Sequence, residues 1–567
     1  MDDRILALIE TGSEENVKTV LLEFNKKNAQ TFSFPELDVL KKKKLVDGIL
    51  KCLRDESFFD CHQTCLETVR ILSREKRGLE EVFTKDILDT MLQLAGMVTE
   101  EELVNNQVPV KDPKVIIEAQ KSLCNLIFNS TGIQRICCYN KCVEGIMMRL
   151  KTYKDPDLLH EVKFFDMRML FLLTALCADI RPKLRTEHHG LIYLMEIVDL
   201  IMKSNAERNR HRHKGSKRFS KSSRRGRSGG DSGVFPIPCL DDEEVDLASE
   251  VLKVLFNLTV NVDKLNMEEE EEAHFMRLVS ILHDILLCDT KTPDKKEELH
   301  NHTINLLNNM PHASYEELLT PLTDIPGGKT DNKNLQYEGM NMEAVSVILE
   351  FLQKKMDQPN KKQRDFLIPI LSCLGECARS NRIIRKWMKI KVLPPLKDVR
   401  SKPEEGDTLR NRLVRLMTSP YTDIKELVAD FLFVLCKENV NRLVKYTGYG
   451  NAAGLLANRG LMLGGQSSGA CNYSSESEES DTEEYLACKE RINPVKGCYE
   501  SPRPNPMEGL TDEQKEQEAM ELLNMMAKLA RDGIVQPMRV GTDGKPHPVK
   551  HIPEHQKEED SEETDSN

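Results

Sequence analysis

Tryptophan occurs once in this chain, and aromatic residues make up only 5% of it. β-Sandwiches draw on aromatic and β-branched side chains, so this shortage, beside 30% charged residues, favours helices. No apolar run is long. The most apolar stretch, around Met169–Ala178, is too short to span a bilayer and follows Asp166 and Arg168. The opening MDDRILALIETG lacks the basic start and apolar core of a signal peptide. A soluble intracellular protein is the expectation. Paired C-x-x-C spacing is also missing. Most of the 16 cysteines sit singly in apolar helical phrases, as at Cys124, Cys177, Cys288 and Cys436, where a free thiol acts as a small hydrophobe. Cys61/Cys65 and Cys373/Cys377 are spaced for one helix face, but no matching histidines accompany them, so no zinc site is expected. A net charge of −12 argues against wholesale nucleic-acid binding. Catalytic patterns are missing as well. GGKT at Gly327–Thr330 lacks the first glycine and the strand of a phosphate loop. G-Y-G-N-A-A-G from Gly448 misses the dinucleotide pattern by one residue. No cofactor and no covalent chemistry are expected; the chemistry of this chain reads as binding.

What is present is a recurring helical phrase. It reads LCNLIFNS at Leu123–Ser130, LFNLTVN at Leu255–Asn261 and INLLNNMP at Ile304–Pro311, with a looser FFDMRMLFLLTAL from Phe164. Each sets a polar residue inside an apolar helix: Asn125, Arg168, Asn257 and Asn305. A buried amide must find partners or bear its desolvation, so a series of them suggests a ladder along one surface, built to grip another chain. Asn125 and Arg168 lie 43 residues apart, and Asn257 and Asn305 lie 48 apart. Armadillo and HEAT repeats run to about 40–47 residues. The 89 residues from Arg168 to Asn257 read as two repeats, one swollen by a polar insert. The expected fold is therefore all-α: an armadillo/HEAT-like superhelical solenoid with a C-terminal linker and accessory helix. A chain of 567 residues exceeds one compact core, and a solenoid escapes that limit because each repeat touches only its neighbours.

Helical pairs are expected over residues 1–440. Within them, 206–233 is dense in Arg, Lys, His, Ser and Gly and reads as a disordered basic insert, with nuclear localisation or polyanion binding as the alternative. A Gly-, Ala- and Leu-rich C-terminal segment follows at 441–470, then an acidic Ser-rich linker at 471–505. Over 506–540 one helix is well marked. Thr511 and Gln514 form a T-x-x-Q capping box, Leu522, Leu523, Met526, Leu529 and Ala530 make an apolar face, and Gly533 ends it. Residues 541–567 read as a disordered tail. In the linker, Ser475 has Glu478 three residues on and Ser480 has Glu483, the spacing favoured by a casein kinase 2-type kinase.

The strings SLCNLIFNS, FFDMRMLFLLTAL, VLKVLFNLTV, KVLPPLKDVRSKPE, LRNRLVRLMT, KYTGYGNAAGLLANRGLM, DTEEY, INPVKG, PNPMEGLTDEQKEQEAM and IVQPM resemble the synembryn family (resistance to inhibitors of cholinesterase). The resemblance runs in order from about residue 10 to 540, and the KYTGYGNAAGLLA string is long and specific. The insert 206–233 and the tail depart from the family pattern. The resemblance implies a chaperone and guanine nucleotide exchange factor for heterotrimeric G-protein α subunits, binding nascent or GDP-bound α subunits free of βγ. It implies that the α subunit's last helix, at its C-terminus, lies in the concave groove and that the family's own C-terminal helices cradle the nucleotide domain. Cytoplasmic placement, with recruitment to the cell cortex or plasma membrane through the α subunit, would follow.

By the resemblance, Arg70, Arg74, Asn125, Phe165 and Phe171 are groove positions; the phrase period adds Phe256 and Asn257. The aromatics also fit a core role, and the two arginines a surface salt bridge. Ser475 and Ser480 match the family's regulatory phosphosites. Their expected dock is the basic helix of Arg382, Arg385, Lys386 and Lys389. A competing reading is an armadillo-type scaffold or transport adaptor that binds extended peptides along the Asn ladder.

Overall fold

Helix-start chemistry is explicit in the first half of the chain. Asp112 accepts a hydrogen bond from the Lys114 amide, and Pro113 occupies the first turn of the helix Pro113–Asn129. Asp241 and Glu244 form a reciprocal capping box at the head of Asp242–Thr259. These features belong to a computed structural model. It describes residues 6, 9, 11–104, 110–203, 238–264, 266–322, 333–465, 481–501, 507, 509–549, with the side chains of 360–362 left aside. The basic insert 206–233, Ser475, Ser480 and most of the tail lie outside the described residues. Two compact units emerge, residues 1–331 and 332–567.

The first unit contains α1 (Glu14–Lys27), α2 (Val39–Arg54), α3 (His62–Leu72), α4 (Lys85–Leu94), α5 (Pro113–Asn129), α6 (Thr131–Tyr139), α7 (Cys142–Leu150), α8 (His160–Leu176), α9 (Asp242–Thr259), α10 (Glu269–Leu287) and α11 (Pro293–Leu307), with shorter turns between them. Six of these form a spine in which each packs on the next: α1, α3, α5, α8, α9, α11. This is the serial nearest-neighbour packing of a helical-repeat solenoid, and the fold is all-α as the phrase period predicts. Apolar residues such as Leu66, Leu123, Leu170, Leu255 and Leu306 are wholly buried between the helices.

One polar knot sits inside this stack. Asp166 on α8 is 0% exposed. Its two oxygens accept from the Arg149 guanidinium at 2.6 and 2.8 Å, from Gln120 at 2.7 Å and from the Tyr153 hydroxyl at 3.1 Å. Arg149 also donates to the Ala95 carbonyl at 2.7 Å. Four segments thus converge on one carboxylate. Burial raises its pKa, and the arginine acts against that rise.

The second unit contains α12 (Glu343–Met356), α13 (Asn360–Ser380), α14 (Arg382–Val392), α15 (Leu409–Leu416), α16 (Thr422–Leu435), α17 (Val440–Thr447), α18 (Tyr449–Arg459), α19 (Glu483–Cys488) and α20 (Asp512–Arg531). α13 packs on α12, α14 and α16, and α16 also meets α18. Two strings noted separately in the sequence meet here. The Tyr449 amide of KYTGYGNAAG donates to the Pro494 carbonyl of INPVKG at 2.8 Å, and the Gly450 amide to Val495 at 2.9 Å. Helix α20 begins with the capping box its T-x-x-Q pattern predicts, yet none of its residues is buried. No helix among the described residues is long and apolar enough to cross a membrane. Nearly all the described cysteines are buried or half-buried free thiols, and Cys61 and Cys65 touch at 3.5 Å between sulfurs.

Candidate partner-binding face

The asparagine ladder exists, and its amides grip the chain's own helices. Asn25 on α1 donates to the Thr64 carbonyl of α3 at 3.2 Å and accepts from Thr68 at 2.9 Å. Asn125 and Asn129 on α5 donate to the carbonyls of Arg70 and Ser73, at 3.2 and 2.9 Å. Asn257 on α9 donates to the Phe171 carbonyl at 3.5 Å and to the Thr174 hydroxyl at 3.0 Å. Asn309, just past α11, repeats this on α9, with Phe256 and Thr259 both at 3.1 Å. Asn309, rather than the Asn305 of the sequence phrase, is therefore the residue on this rung. From Asn125 onward each amide satisfies backbone near the end of the preceding spine helix, whereas Asn25 reaches forward to the first turn of α3; in both cases the bond holds neighbouring helices in register.

This arrangement gives Arg70, Phe171 and Phe256 the same place on three spine helices, α3, α8 and α9. Each lies three residues before a Ser or Thr, lends its carbonyl to an asparagine of the next helix, and is half-buried. Their side chains belong to a row of cations and aromatics along the spine. Arg70 pairs with Glu118 of α5 at 2.7 Å and with Glu67 at 3.2 Å. Arg74 lies over the exposed ring of Phe32, 5.3 Å from its centroid, and donates to the Ala29 carbonyl at 2.8 Å. Burial and the charge of Arg70 lower the pKa of the Arg74 guanidinium. Lys121 stands 5.4 Å from the Phe165 ring. Phe165 is half-buried, packed on the cluster of Ile116, Ile117 and Val162. Phe171 has Arg168 at 5.7 Å and Lys253 at 4.7 Å from its centroid, and both cations meet Glu250. Phe256 is half-buried, and Asn257 is buried. Lys121, Lys253 and Glu250 escaped sequence reasoning because their importance lies in which ring or cation they face, a property of helix packing.

A second cluster lies in the other unit. Of the four residues of α14 expected to dock a phosphate, Lys386 and Lys389 line a cavity of about 150 Å³ together with Lys445, Asp481, Thr482 and Tyr485. Arg382 lies 3.8 Å from Glu338, and Lys386 is 3.2 Å from the same carboxylate. Arg385 is only 5% exposed and donates to the Ala378 carbonyl at 2.8 Å, so it does not share that cavity wall. Asp481 pairs with Lys445 and lies 3.8 Å from Lys489; the Thr482 hydroxyl donates to the Leu396 carbonyl and caps α19 by accepting from the Tyr485 amide. Sequence reasoning missed Lys445, although it opens the KYTGYG string. Among the described residues no group of acids, histidines or cysteines is arranged to hold a metal ion.

Comparison with known proteins gives a consistent picture. The family model described as guanine nucleotide exchange factor synembryn matches residues 65–545. The chain is 41% identical over 553 residues to "Chaperone Ric-8A" of Danio rerio, covering 97% of this chain and 96% of that protein. It is 42% identical to the Gallus gallus protein of the same name, with 96% of each chain covered. The Xenopus tropicalis protein is also 42% identical, over 96% of this chain and 95% of its own length. A solved SYS-1/POP-1 complex aligns at TM-score 0.45 and 10% identity, over 76% of this chain and 71% of that one. With a relative of this identity spanning nearly its whole length, and a family model spanning most of it, the chain belongs to the Ric8 family of chaperones and guanine nucleotide exchange factors, the synembryns.

Proposed function

We propose that this chain is a chaperone and exchange factor for heterotrimeric G-protein α subunits, acting on nascent or GDP-bound α subunits free of βγ. The observation that carries the reading is the row of Arg70, Phe171 and Phe256 at equivalent repeat positions, flanked by cations, in a chain of this family. Cations can take a terminal carboxylate and helix-end carbonyls, and half-buried rings can take apolar side chains of an amphipathic helix. Withdrawing the last helix of the α subunit from its own domain loosens the nucleotide pocket that helix buttresses. GDP leaves because the nucleotide-free conformation is bound better, and GTP reverses the preference. No covalent step is involved. Helix α20, with its exposed apolar face, supplies a second contact on the nucleotide domain. The protein works in the cytoplasm and reaches the cell cortex through the α subunit.

The decisive experiment is GDP release from purified α subunits with and without this protein; no acceleration sinks the reading. Arg70→Ala with Arg74→Ala is expected to weaken binding of a peptide spanning the last helix of an α subunit by tenfold or more in calorimetry, since a charge-assisted contact contributes about 1.5–3 kcal/mol. Asn125, whose amide serves Arg70, and Asn257, whose amide serves Phe171, act by holding those residues in place.

Phosphorylation of Ser475 and Ser480 by a casein kinase 2-type kinase is the second part of the proposal. Each phosphate adds about −1.5 to −2 charges. Ser480 directly precedes Asp481, which already sits among lysines beside Lys386 and Lys389. Kinase treatment is expected to raise exchange activity, and Ser475→Ala with Ser480→Ala to abolish the gain. Equal rates for treated and untreated wild type, with phosphate incorporation verified by mass spectrometry, would exclude the switch.

A further inference from the structure

No residue of helix α20 is buried, and only Lys515, Ala527, Leu529 and Ala530 are half-buried. Met520 is 64% exposed, Met525 61% and Leu522 59%, and the residues beyond it, Ile534 and Val535, are also open. With no residue of this amphipathic helix buried, the backbone contacts of the segments on either side of it gain weight. On one side the turn Asn493–Gly497 lies across the N-terminus of α18, where its carbonyls take the first two amides of that helix. Gly448 and Gly497, both at positive φ, make that approach possible. A Cβ on Gly497 would lie 2.9 Å from the Gly448 Cα and 2.8 Å from Pro403, and one on Gly448 would lie 3.0 Å from the Lys496 carbonyl carbon.

The other flank repeats the device at the opposite end of α18. Strands Met538–Val540 and Pro546–Pro548 pair antiparallel, and the turn between them is tied by Asp543, which accepts from the Lys545 amide at 3.1 Å and contacts His547 at 2.9 Å. Gly544 of that turn rests on Gly460, the left-handed residue that ends α18. The Gly544 carbonyl accepts from the Met462 amide at 3.2 Å. A Cβ on Gly544 would collide with the Gly460 carbonyl oxygen, and one on Gly460 would lie 2.9 Å from the Asp543 carbonyl oxygen.

We propose that these two glycine clasps, Gly448/Gly497 and Gly460/Gly544, are positioning elements. They hold the chain before and after α20 at the two ends of one helix and present α20 as a bridge with its apolar face open to the partner. α18 has 11 residues and α20 has 20, so about 16 Å of helix anchors a bridge of about 30 Å. Both anchors consist of backbone contacts and use no phosphate, so α20 is poised before any modification of the linker. The function of the bridge rests on the reading that α20 touches the α subunit; the clasps themselves do not.

Gly544→Ala in the full chain tests this, with Gly533→Ala as control. Gly533 has the same positive φ, but a Cβ there meets open space. A chain ended after Val535, which keeps α20 and removes the hairpin, guards against a folding defect peculiar to the substitution. Hydrogen exchange is expected to speed at Met462 and over 538–548 in Gly544→Ala, and at Met462 in the shortened chain, while the control stays as wild type. Calorimetric affinity for the peptide spanning the last helix of an α subunit is expected to stay unchanged in all three. Stimulated GDP release at limiting α subunit is expected to fall about tenfold in Gly544→Ala and in the shortened chain, because a linked second contact loses effective concentration. Unchanged protection at Met462 would remove the clasp. Lost protection with undiminished GDP release would remove its positioning role. Failure of the wild type itself to stimulate release would overturn the α-subunit reading and the bridge's function with it, while the exchange data would still judge the clasps.

Discussion

The two units hold their parts together in different ways. Along the spine of the first, side-chain amides from one helix reach the backbone of its neighbour, and the same bond recurs from Asn25 to Asn309. The rungs share the work, and apolar residues such as Leu66, Leu123 and Leu255 pack between the helices. The return segment of the second unit is fastened by backbone lying on backbone at Gly448/Gly497 and Gly460/Gly544. Nothing bulkier than hydrogen fits there, and each contact stands alone at its own end of α18. A repeat spreads its specificity thinly over many side chains, whereas a clasp concentrates it in positions that have no substitute.

The largest effect expected lies at a buried ion pair of the first unit, which no neighbouring rung replaces. Asp166→Ala leaves Arg149 buried without its carboxylate and should cost about 3–5 kcal/mol, read as a fall in the thermal midpoint of the first unit. A loss below about 1 kcal/mol would show that the knot is as replaceable as a rung. Next comes Gly448→Ala, which combines a left-handed φ with close neighbours and should cost about 1–3 kcal/mol. Its signature is loss of amide protection at Tyr449 and Gly450 with the first unit's exchange unchanged. The smallest effect belongs to Asn257→Ala. Thr174 keeps its own bond to the Leu170 carbonyl, so about 1 kcal/mol is expected. If Asn257→Ala destabilised the protein as much as Asp166→Ala, the contrast between spread and concentrated fastening would fail.

Much of the fold was legible in the sequence because local rules govern it. Thr511 with Gln514 caps the helix expected of it, and Asp112-Pro113 and Asp241 with Glu244 start their helices by the same local chemistry. The phrase period correctly pointed to an amide ladder. It misplaced the rung at Asn305, because Asn308 and Asn309 follow in the same phrase and only packing tells which one faces α9, and it counted Arg168, which pairs with Glu250 of α9 instead. It also left open whom the ladder grips. A buried amide announces that it needs a partner and says nothing of which partner it finds. The basic helix at 382–389 was found by composition, but one of its four cations, Arg385, turned out to serve the Ala378 carbonyl.

The sequence by itself determined the class of fold, several helix starts and the family, since each is written in periodicity, capping and ordered strings of residues. Spacing alone miscounts the repeats across the basic insert: α8 packs directly on α9, so the 89 residues from Arg168 to Asn257 are one step of the spine and not two. Tertiary structure alone decided that the asparagines bind the spine to itself, that Lys445 and Asp481 share a cavity with Lys386 and Lys389, and that KYTGYG and INPVKG lie against each other. Those are contacts between residues from 36 to 95 positions apart. No local preference encodes them; they exist because burying the apolar faces of neighbouring helices brings those residues together.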